Sequence, residues 1–194
     1  MNGYHRWLCR SDGWRATVQK RVPWVIGGID LGPNPLEIGP GPGLTTDLLR
    51  HIAPQLTAIE IDATCAKRLG TRLTGSNVTV IHGDATSMPF SDDQFSAALT
   101  FTTLHHVPST GLQDRLLREV RRVLKPGGLF MGSDSIQSLA MRLIHIGDVL
   151  VPVDPDTFGV RLETAGFQVL AIEKRSDAFR FMAQRPRRAY TYGE

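Results

Sequence analysis

A glycine-rich turn is the first feature of this sequence that could do chemistry. The short apolar run Pro35–Ile38 leads into three glycines at alternate positions, Gly39, Gly41 and Gly43. Without Cβ atoms the backbone of such a turn can bend tightly and approach a ligand closely. Its N–H groups and the start of the following helix favour an anionic group. A plain strand–helix connection remains the alternative, because glycine-rich turns also serve that purpose.

Two acidic residues near the turn narrow the choice of ligand. Glu60 ends a second apolar run and lies 21 residues after Gly39, close to the spacing at which a nucleotide-binding βαβ unit places a carboxylate for ribose hydroxyls. Glu37, two residues before the turn, would disfavour a pyrophosphate and attract an ammonium group. Leu44 stands where the dinucleotide-binding pattern G-x-G-x-x-G/A requires a glycine or an alanine. A ligand that carries both an ammonium and a carboxylate fits best.

Several further short motifs follow the turn in a definite order. The stretches are LEIGPGPG (36–43), AIEID (58–62), GDA (83–85), MPF (88–90), LHH (104–106) and RVLKPGG (122–128). Each motif is modest, but their order is specific. In this order the chain resembles the class I S-adenosylmethionine-dependent methyltransferases.

The resemblance implies S-adenosylmethionine (SAM) as the cofactor and assigns roles to matching residues. It implies that Asp84 accepts a hydrogen bond from the adenine amino group, although a plain turn role is the alternative for this residue. Ala85 would offer its N–H to the ring, and Thr100 or Phe101 would lie beside the methionine portion. The predicted cofactor-binding residues are Glu37, Gly39, Gly41, Gly43, Glu60, Ile61, Asp84, Ala85, Thr100 and Phe101.

His105 and His106 are the predicted catalytic residues, because they follow the fourth predicted strand directly. A neutral imidazole there can take a proton from an attacking hydroxyl near pH 7. A structural role for the pair remains the alternative. His82 and His145 have weaker claims to the same chemistry.

Two branches of this family share the first motifs. The run 36–49 is similar to that of the rRNA adenine dimethyltransferases, but their Asn/Asp-Leu/Pro-Pro-Tyr/Phe segment is replaced here by TFTTLHH (100–106). We therefore predict the branch that resembles quinone and other small-molecule methyltransferases, with a small, lipophilic acceptor. RNA modification is the alternative within the family, and a non-catalytic SAM-binding protein is the alternative outside it.

The alternation of strands and helices predicts the scaffold that must position these residues. We expect an α/β, Rossmann-like, doubly wound and mainly parallel seven-stranded sheet with an antiparallel edge hairpin. Residues 1–184 would form one methyltransferase domain with a helical cap (1–30), a cofactor-binding core (35–133) and a substrate-side segment (136–153); 185–194 would be a basic tail. The acceptor pocket would use Trp7, Trp14 and the apolar residues of 139–146, unless these only cover the sheet or form a dimer contact.

Within this scaffold we expect Ser11 to begin a helix that Pro23 ends, and Leu44–Ile52 to form the helix after the glycine turn. The fifth strand is expected at Leu129–Ser133, after a helix that stops at Lys125–Gly128.

Composition is consistent with one globular domain and excludes several classes. The 194 residues are 41% hydrophobic and 21% charged, which argues against a disordered or coiled-coil chain. Cys9 and Cys65 lack CxxC spacing, so we predict no metal site, and we expect a soluble, cytoplasmic protein without a transmembrane segment. The net charge of +3 comes from the two ends of the chain. We predict a small-molecule acceptor as the partner and disfavour nucleic acid. The sequence does not predict the oligomeric state.

Overall fold

The computed structural model describes residues 11–187 and contains one seven-stranded sheet in the order β3-β2-β1-β4-β5-β7-β6. Strands β1 to β5 are parallel to one another, whereas β7 is antiparallel to both of its neighbours. The strands are β1 Leu36–Ile38, β2 Leu56–Glu60, β3 Val78–His82, β4 Phe95–Phe101, β5 Leu124–Ser135, β6 Gln168–Lys174 and β7 Ala178–Gln184. The predicted fold class, including the edge hairpin, is confirmed.

Helices lie on both faces of the sheet and connect its parallel strands. They are α1 Asp12–Ile26, α2 Leu44–Leu49, α3 Ala63–Arg72, α4 Thr110–Val123, α5 Leu139–Ile144 and α6 Pro155–Thr164, with a 3₁₀ turn at Leu104–His106. Ser11 caps α1, as the sequence predicts, and Asp62 caps α3, both through side-chain hydrogen bonds to backbone N–H groups.

Two hydrophobic clusters hold these layers together, one on each face. The first packs α4 and α6 against the sheet and includes Phe130, Phe158 and Phe181. The second packs α1 and α2 against the other face and includes Val22 and Leu99. Because both faces are covered, the central strands are buried along their length and their carboxyl ends remain as the edge open to a ligand.

Three predicted element boundaries are wrong. Pro23 does not end α1; the helix continues to Ile26, whose side chain packs into the core, and ends at Gly27 in a left-handed conformation. Helix α2 ends at Leu49, which leaves Ile52 exposed. Strand β5 begins at Leu124, not at Leu129, and takes in the Lys125–Gly128 stretch through a register irregularity opposite β4. Tertiary pairing overrides the local stop pattern there.

The segments assigned to the acceptor side divide into packed and exposed parts. Trp14 packs against the second cluster, so this residue covers the sheet, while Trp7 lies outside the described residues. In α5 and the turn after it, Met141 and His145 face inward. The exposed apolar side chains there are Leu139, Leu143 and Ile146.

Candidate functional site

The glycine turn lies between β1 and α2 at the carboxyl edge of the sheet. Gly39, Gly41 and Gly43 all have positive φ angles, of 68°, 53° and 87°. A Cβ at Gly39 would overlap the side chain of Thr103, whereas a Cβ at Gly41 would meet nothing within 4 Å. The two outer glycines therefore allow close packing, and the middle one borders open space.

Glu60 holds this turn from the end of the neighbouring strand β2. Its Oε2 accepts a hydrogen bond of 2.9 Å from the Gly41 N–H, and its Oε1 accepts one of 2.9 Å from the Asp62 N–H. The side chain is buried, with 7% exposure of the residue. Each carboxylate oxygen keeps a second lone pair, so Glu60 can still accept hydrogen bonds from a ligand.

Glu37 occupies the interior of the same site and is almost fully buried in β1. Its Oε1 accepts a hydrogen bond from the Thr45 hydroxyl on α2. Burial raises the pKa of the Glu37 carboxyl to about 7, against the lowering effect of the Thr45 and Thr46 hydroxyls. A cation placed beside this carboxyl would reverse the effect of burial and favour the ionised form.

Unsatisfied buried atoms show that these residues fit the expected cofactor. Within residues 11–187, the Glu37 Oε2 and the Thr100 Oγ1 are buried and have no hydrogen-bond partner. Such atoms are costly unless a ligand or water satisfies them. The acidic oxygen suits an ammonium, and the open space at Gly41 beside the Glu60 carboxylate suits a hydroxylated nucleoside.

Three predicted cofactor-binding residues, Ile61, Asp84 and Ala85, follow the ends of β2 and β3. Ile61, next to Glu60, is 68% exposed, so its apolar side chain is accessible to a ligand. Asp84 is exposed, and its Oδ1 accepts a hydrogen bond of 2.7 Å from the Thr86 N–H. Asp84 therefore also stabilises a turn, which is the alternative role given for it above. Ala85 packs partly against the first cluster. His82, at the end of β3, contacts the Ile61 carbonyl at 3.2 Å.

The turn after β4 packs directly onto the glycine turn. Phe101 is mostly buried at the end of β4. Thr102 has a φ of 52°, a strained conformation for a β-branched residue. Thr103 Oγ1 lies 3.2 Å from the Gly39 carbonyl. This contact fixes the two turns together, and the 3₁₀ turn with His105 and His106 begins at the next residue.

His105, one of the predicted catalytic residues, is buried against an acidic residue outside the predicted site. Its Nδ1 forms a short hydrogen bond with the Asp134 Oδ1 near the end of β5, and its backbone N–H donates to the Asp134 Oδ2 at 3.2 Å. Burial alone would raise the pKa of the Asp134 carboxyl, but the His105 imidazole and nearby N–H groups outweigh it and hold that pKa below its usual range. An acid at the carboxyl end of a predicted strand was the signal that could have identified Asp134.

Three histidines converge at this point. The rings of His105 and His106 lie 4.2 Å apart, and each ring lies 5.1 Å from that of His145. His145 comes from the end of α5, 39 residues after His106. The structure therefore brings the predicted pair together with the histidine that had the weaker claim, and leaves His82 elsewhere.

The sequence and the fold are both similar to known methyltransferases. A family model described as a methyltransferase domain matches residues 36–132. Sterol 24-C-methyltransferase ERG6B of Gibberella zeae is 27% identical over 160 residues, which are 74% of this chain and 41% of that protein. Demethylmenaquinone methyltransferase of Staphylococcus aureus is 31% identical over 129 residues, 64% of this chain and 50% of that protein. The chain spans half or less of the length of these two relatives.

Solved structures share the architecture at low sequence identity. The PH0226 protein from Pyrococcus horikoshii OT3 has a TM-score of 0.77 at 17% identity, with 91% of this chain and 93% of that chain covered. A putative methyltransferase from Haloferax volcanii, solved in complex with the Trm112 methyltransferase activator, has a TM-score of 0.73 at 14% identity, with 96% and 99% covered.

The described helices of this chain are all too short or too polar to span a membrane.

The family model covers the glycine turn, both acidic strand ends and the histidine turn, which together form the site described above. The chain belongs to the class I SAM-dependent methyltransferases, whose cofactor is S-adenosylmethionine.

Proposed function

We propose that this protein transfers a methyl group from SAM to a small, lipophilic acceptor such as a quinone, a phenol or a lipid precursor. One observation carries the proposal: of two buried carboxylates, one is bonded to the glycine turn and the other lies two residues before it. Glu60 accepts the Gly41 N–H at 2.9 Å, and Glu37 keeps a buried oxygen without a hydrogen-bond partner among the described residues. This pairing suits a ligand with ribose hydroxyls at one end and an ammonium at the other.

The cofactor roles follow from what each residue exposes. Glu60 would accept from the ribose hydroxyls and Glu37 would attract the ammonium, while the open backbone at Gly41 lets the ligand approach. The exposed side chain of Ile61 would cover one face of the adenine, and Asp84 would accept from its amino group. The role of Asp84 is the one that the family resemblance implies, and those of Glu37 and Glu60 are the ones that their charge and spacing indicate.

The chemistry left to the protein is positioning and proton handling. SAM supplies a methyl group on a sulfonium that is already activated, so few side chains are obligatory. The protein must align the acceptor and exclude water. Because Asp134 occupies Nδ1 of His105, Nε2 is the ring atom left to act on an acceptor hydroxyl. Asp134 would orient the ring and stabilise its charged form.

The acceptor class is inferred from the surface beside the histidines. Leu139, Leu143 and Ile146 are 74%, 58% and 69% exposed on the segment that also carries His145. Pockets for small molecules are mostly apolar with a few polar groups, and these side chains offer such a lining to a lipophilic acceptor. Two relatives are named as sterol and demethylmenaquinone methyltransferases, which supports the same class.

Two measurements test this function. Calorimetry with SAM and with its demethylated product, S-adenosylhomocysteine, should show one site on the folded protein, and no binding would refute the proposal. Transfer of a labelled methyl group should then be assayed on extracted quinones, lipids and RNA. Label in the quinone or lipid fraction is expected. Label in RNA alone would show that RNA, not a small lipophilic molecule, is the acceptor. SAM binding without any methyl transfer would favour a non-catalytic SAM-binding protein.

A further inference from the structure

The histidine cluster has a feature that a single proton acceptor does not need. His105, His106 and His145 can each offer one ring nitrogen, and within residues 11–187 these three atoms lie within 4.8 Å of one another. His105 and His145 are 3% and 7% exposed. Three neighbouring imidazoles match the donor set that transition metals prefer.

Hydrogen bonds fix which nitrogen each buried ring can offer. His145 Nδ1 lies 2.7 Å from the Met141 carbonyl, an acceptor, so this nitrogen must carry the hydrogen. His105 Nδ1 is likewise bonded to the Asp134 carboxylate. In both rings the lone pair of the neutral imidazole therefore lies on Nε2. A histidine that ligates a metal almost always donates its other N–H to a carboxylate or a backbone carbonyl in this way.

The donor set also selects the class of cation. Imidazoles suit Zn²⁺, Co²⁺, Ni²⁺ or Cu²⁺, whereas Mg²⁺ and Ca²⁺ require oxygen ligands. Zn–N bonds of about 2.0–2.1 Å in a tetrahedron place the nitrogens about 3.4 Å apart. Nitrogens as far apart as 4.8 Å would have to close by about 1.4 Å. His106 is only half-buried, and His145 follows a helix of six residues, so both can make this adjustment.

We propose that His105, His106 and His145 bind a divalent transition-metal cation, Zn²⁺ in the first instance, with Asp134 and the Met141 carbonyl as the groups that orient the ligands. Three protein ligands leave a fourth position open, as in catalytic zinc sites and unlike closed structural ones. The cluster begins two residues after Thr103, which contacts the glycine turn. The open position therefore belongs to the acceptor side of the site.

The consequence for catalysis rests on the proposed function, whereas cation binding does not. An acceptor hydroxyl at the open position would lose its proton to solvent more readily, because the cation stabilises the oxyanion that remains. The cation would then replace the His105 imidazole as the group that activates the hydroxyl. Metal binding and SAM binding use different residues, so each can be measured without the other.

The test begins with the full chain stripped of metal by a chelator. Zn²⁺ titration by calorimetry should show one cation per chain, and Co²⁺ should give the visible absorption of a tetrahedral nitrogen-ligated ion. His106→Gln removes a half-buried ligand, so we expect a loss of Zn²⁺ affinity greater than 100-fold in a folded protein. Asp134→Asn should weaken it about 10–100-fold. His51→Gln, an exposed histidine outside the cluster, should leave affinity unchanged.

Two results would overturn the inference. One is the absence of a stoichiometric site in the wild-type protein. The other is equal Zn²⁺ affinity of the wild type and His106→Gln, with circular dichroism showing that both are folded. SAM titration of the same metal-free samples distinguishes the two proposals. If SAM binds although no metal site is found, the proposed methyl transfer stands, and His105 is again the group that accepts the proton.

Discussion

The two halves of the site are built in different ways. The cofactor half lies on the ends of adjacent parallel strands, and its principal contact joins Glu60 to Gly41, 19 residues apart. The acceptor half joins His105 to Asp134, 29 residues apart, and adds His145 from a short helix beyond β5. The proposed cofactor contacts thus lie on neighbouring strand ends, whereas the proposed acceptor side is assembled from segments farther apart in the sequence. Substitutions should separate these halves.

The largest effect is expected at Gly39, where the halves meet. Gly39→Ala places a Cβ into the Thr103 side chain at a φ of 68°, which should lower the free energy of unfolding by about 2–5 kcal/mol and abolish SAM binding. Gly41→Ala has a similar φ but open space around the new Cβ, so it should cost only about 1 kcal/mol. Urea unfolding measures both, and equal losses would show that the contact between the turns is unimportant.

Asp134→Asn should damage the acceptor half alone. The amide keeps the shape of the side chain but no longer stabilises a charged or metal-bound His105, so we expect methyl transfer to fall about 10–100-fold. Because Asp134 does not contact the glycine turn, the dissociation constant of S-adenosylhomocysteine should not change. A parallel loss of cofactor affinity in a fully folded variant would mean that the two halves are energetically coupled.

Glu60→Ala should damage the cofactor half alone. Loss of a buried acceptor should weaken SAM binding by about 1–3 kcal/mol, a factor of about 5–150. The Gly41 N–H also loses its partner, so Glu60→Gln serves as the matched control that keeps an acceptor oxygen. Calorimetry on all three proteins measures the effect, and an unchanged affinity in Glu60→Ala would remove this residue from the site.

Glu37 should give the smallest effect, in the form of a pH dependence. With its pKa near 7, the carboxyl is mostly ionised at pH 8 and mostly protonated at pH 6, so affinity for S-adenosylhomocysteine should fall about tenfold across that range. In Glu37→Gln this tenfold change in affinity between pH 8 and pH 6 should vanish. Any change that comes from ionisation of the ligand itself should be the same in both proteins. Identical pH profiles would contradict an ammonium beside Glu37.

The same carboxyl predicts a stability difference of defined sign. Its pKa is raised in the folded state from 4.5 to about 7, so its contribution to stability is present below pH 4.5 and is lost as the pH rises to 7. Melting temperatures of the wild type and Glu37→Gln should therefore diverge over this range, with the variant gaining relative to the wild type at the higher pH.

The cofactor half could be predicted from the sequence because its geometry is local. A strand, the glycine turn and the acid at the end of the next strand occupy 25 consecutive residues, from Leu36 to Glu60. Asp134 follows the predicted fifth strand directly, but its contact with His105 could not be predicted, because the pairing of β4 with β5 creates it. The prediction of no metal site rested on the cysteines, which have neither CxxC spacing nor a nearby histidine pair. The spacing of His106 and His145 does not indicate that α5 returns to the turn after β4. The end of α1 was misplaced because apolar packing and Gly27 outweigh one interior proline.

A crystal structure of the protein with S-adenosylhomocysteine would show whether Glu60 and Glu37 hold the cofactor. We expect the Glu60 carboxylate within hydrogen-bond distance of the ribose hydroxyls and the amino group of the ligand beside the Glu37 Oε2. An empty crevice at a saturating concentration of ligand, or a ligand bound away from the glycine turn, would contradict it.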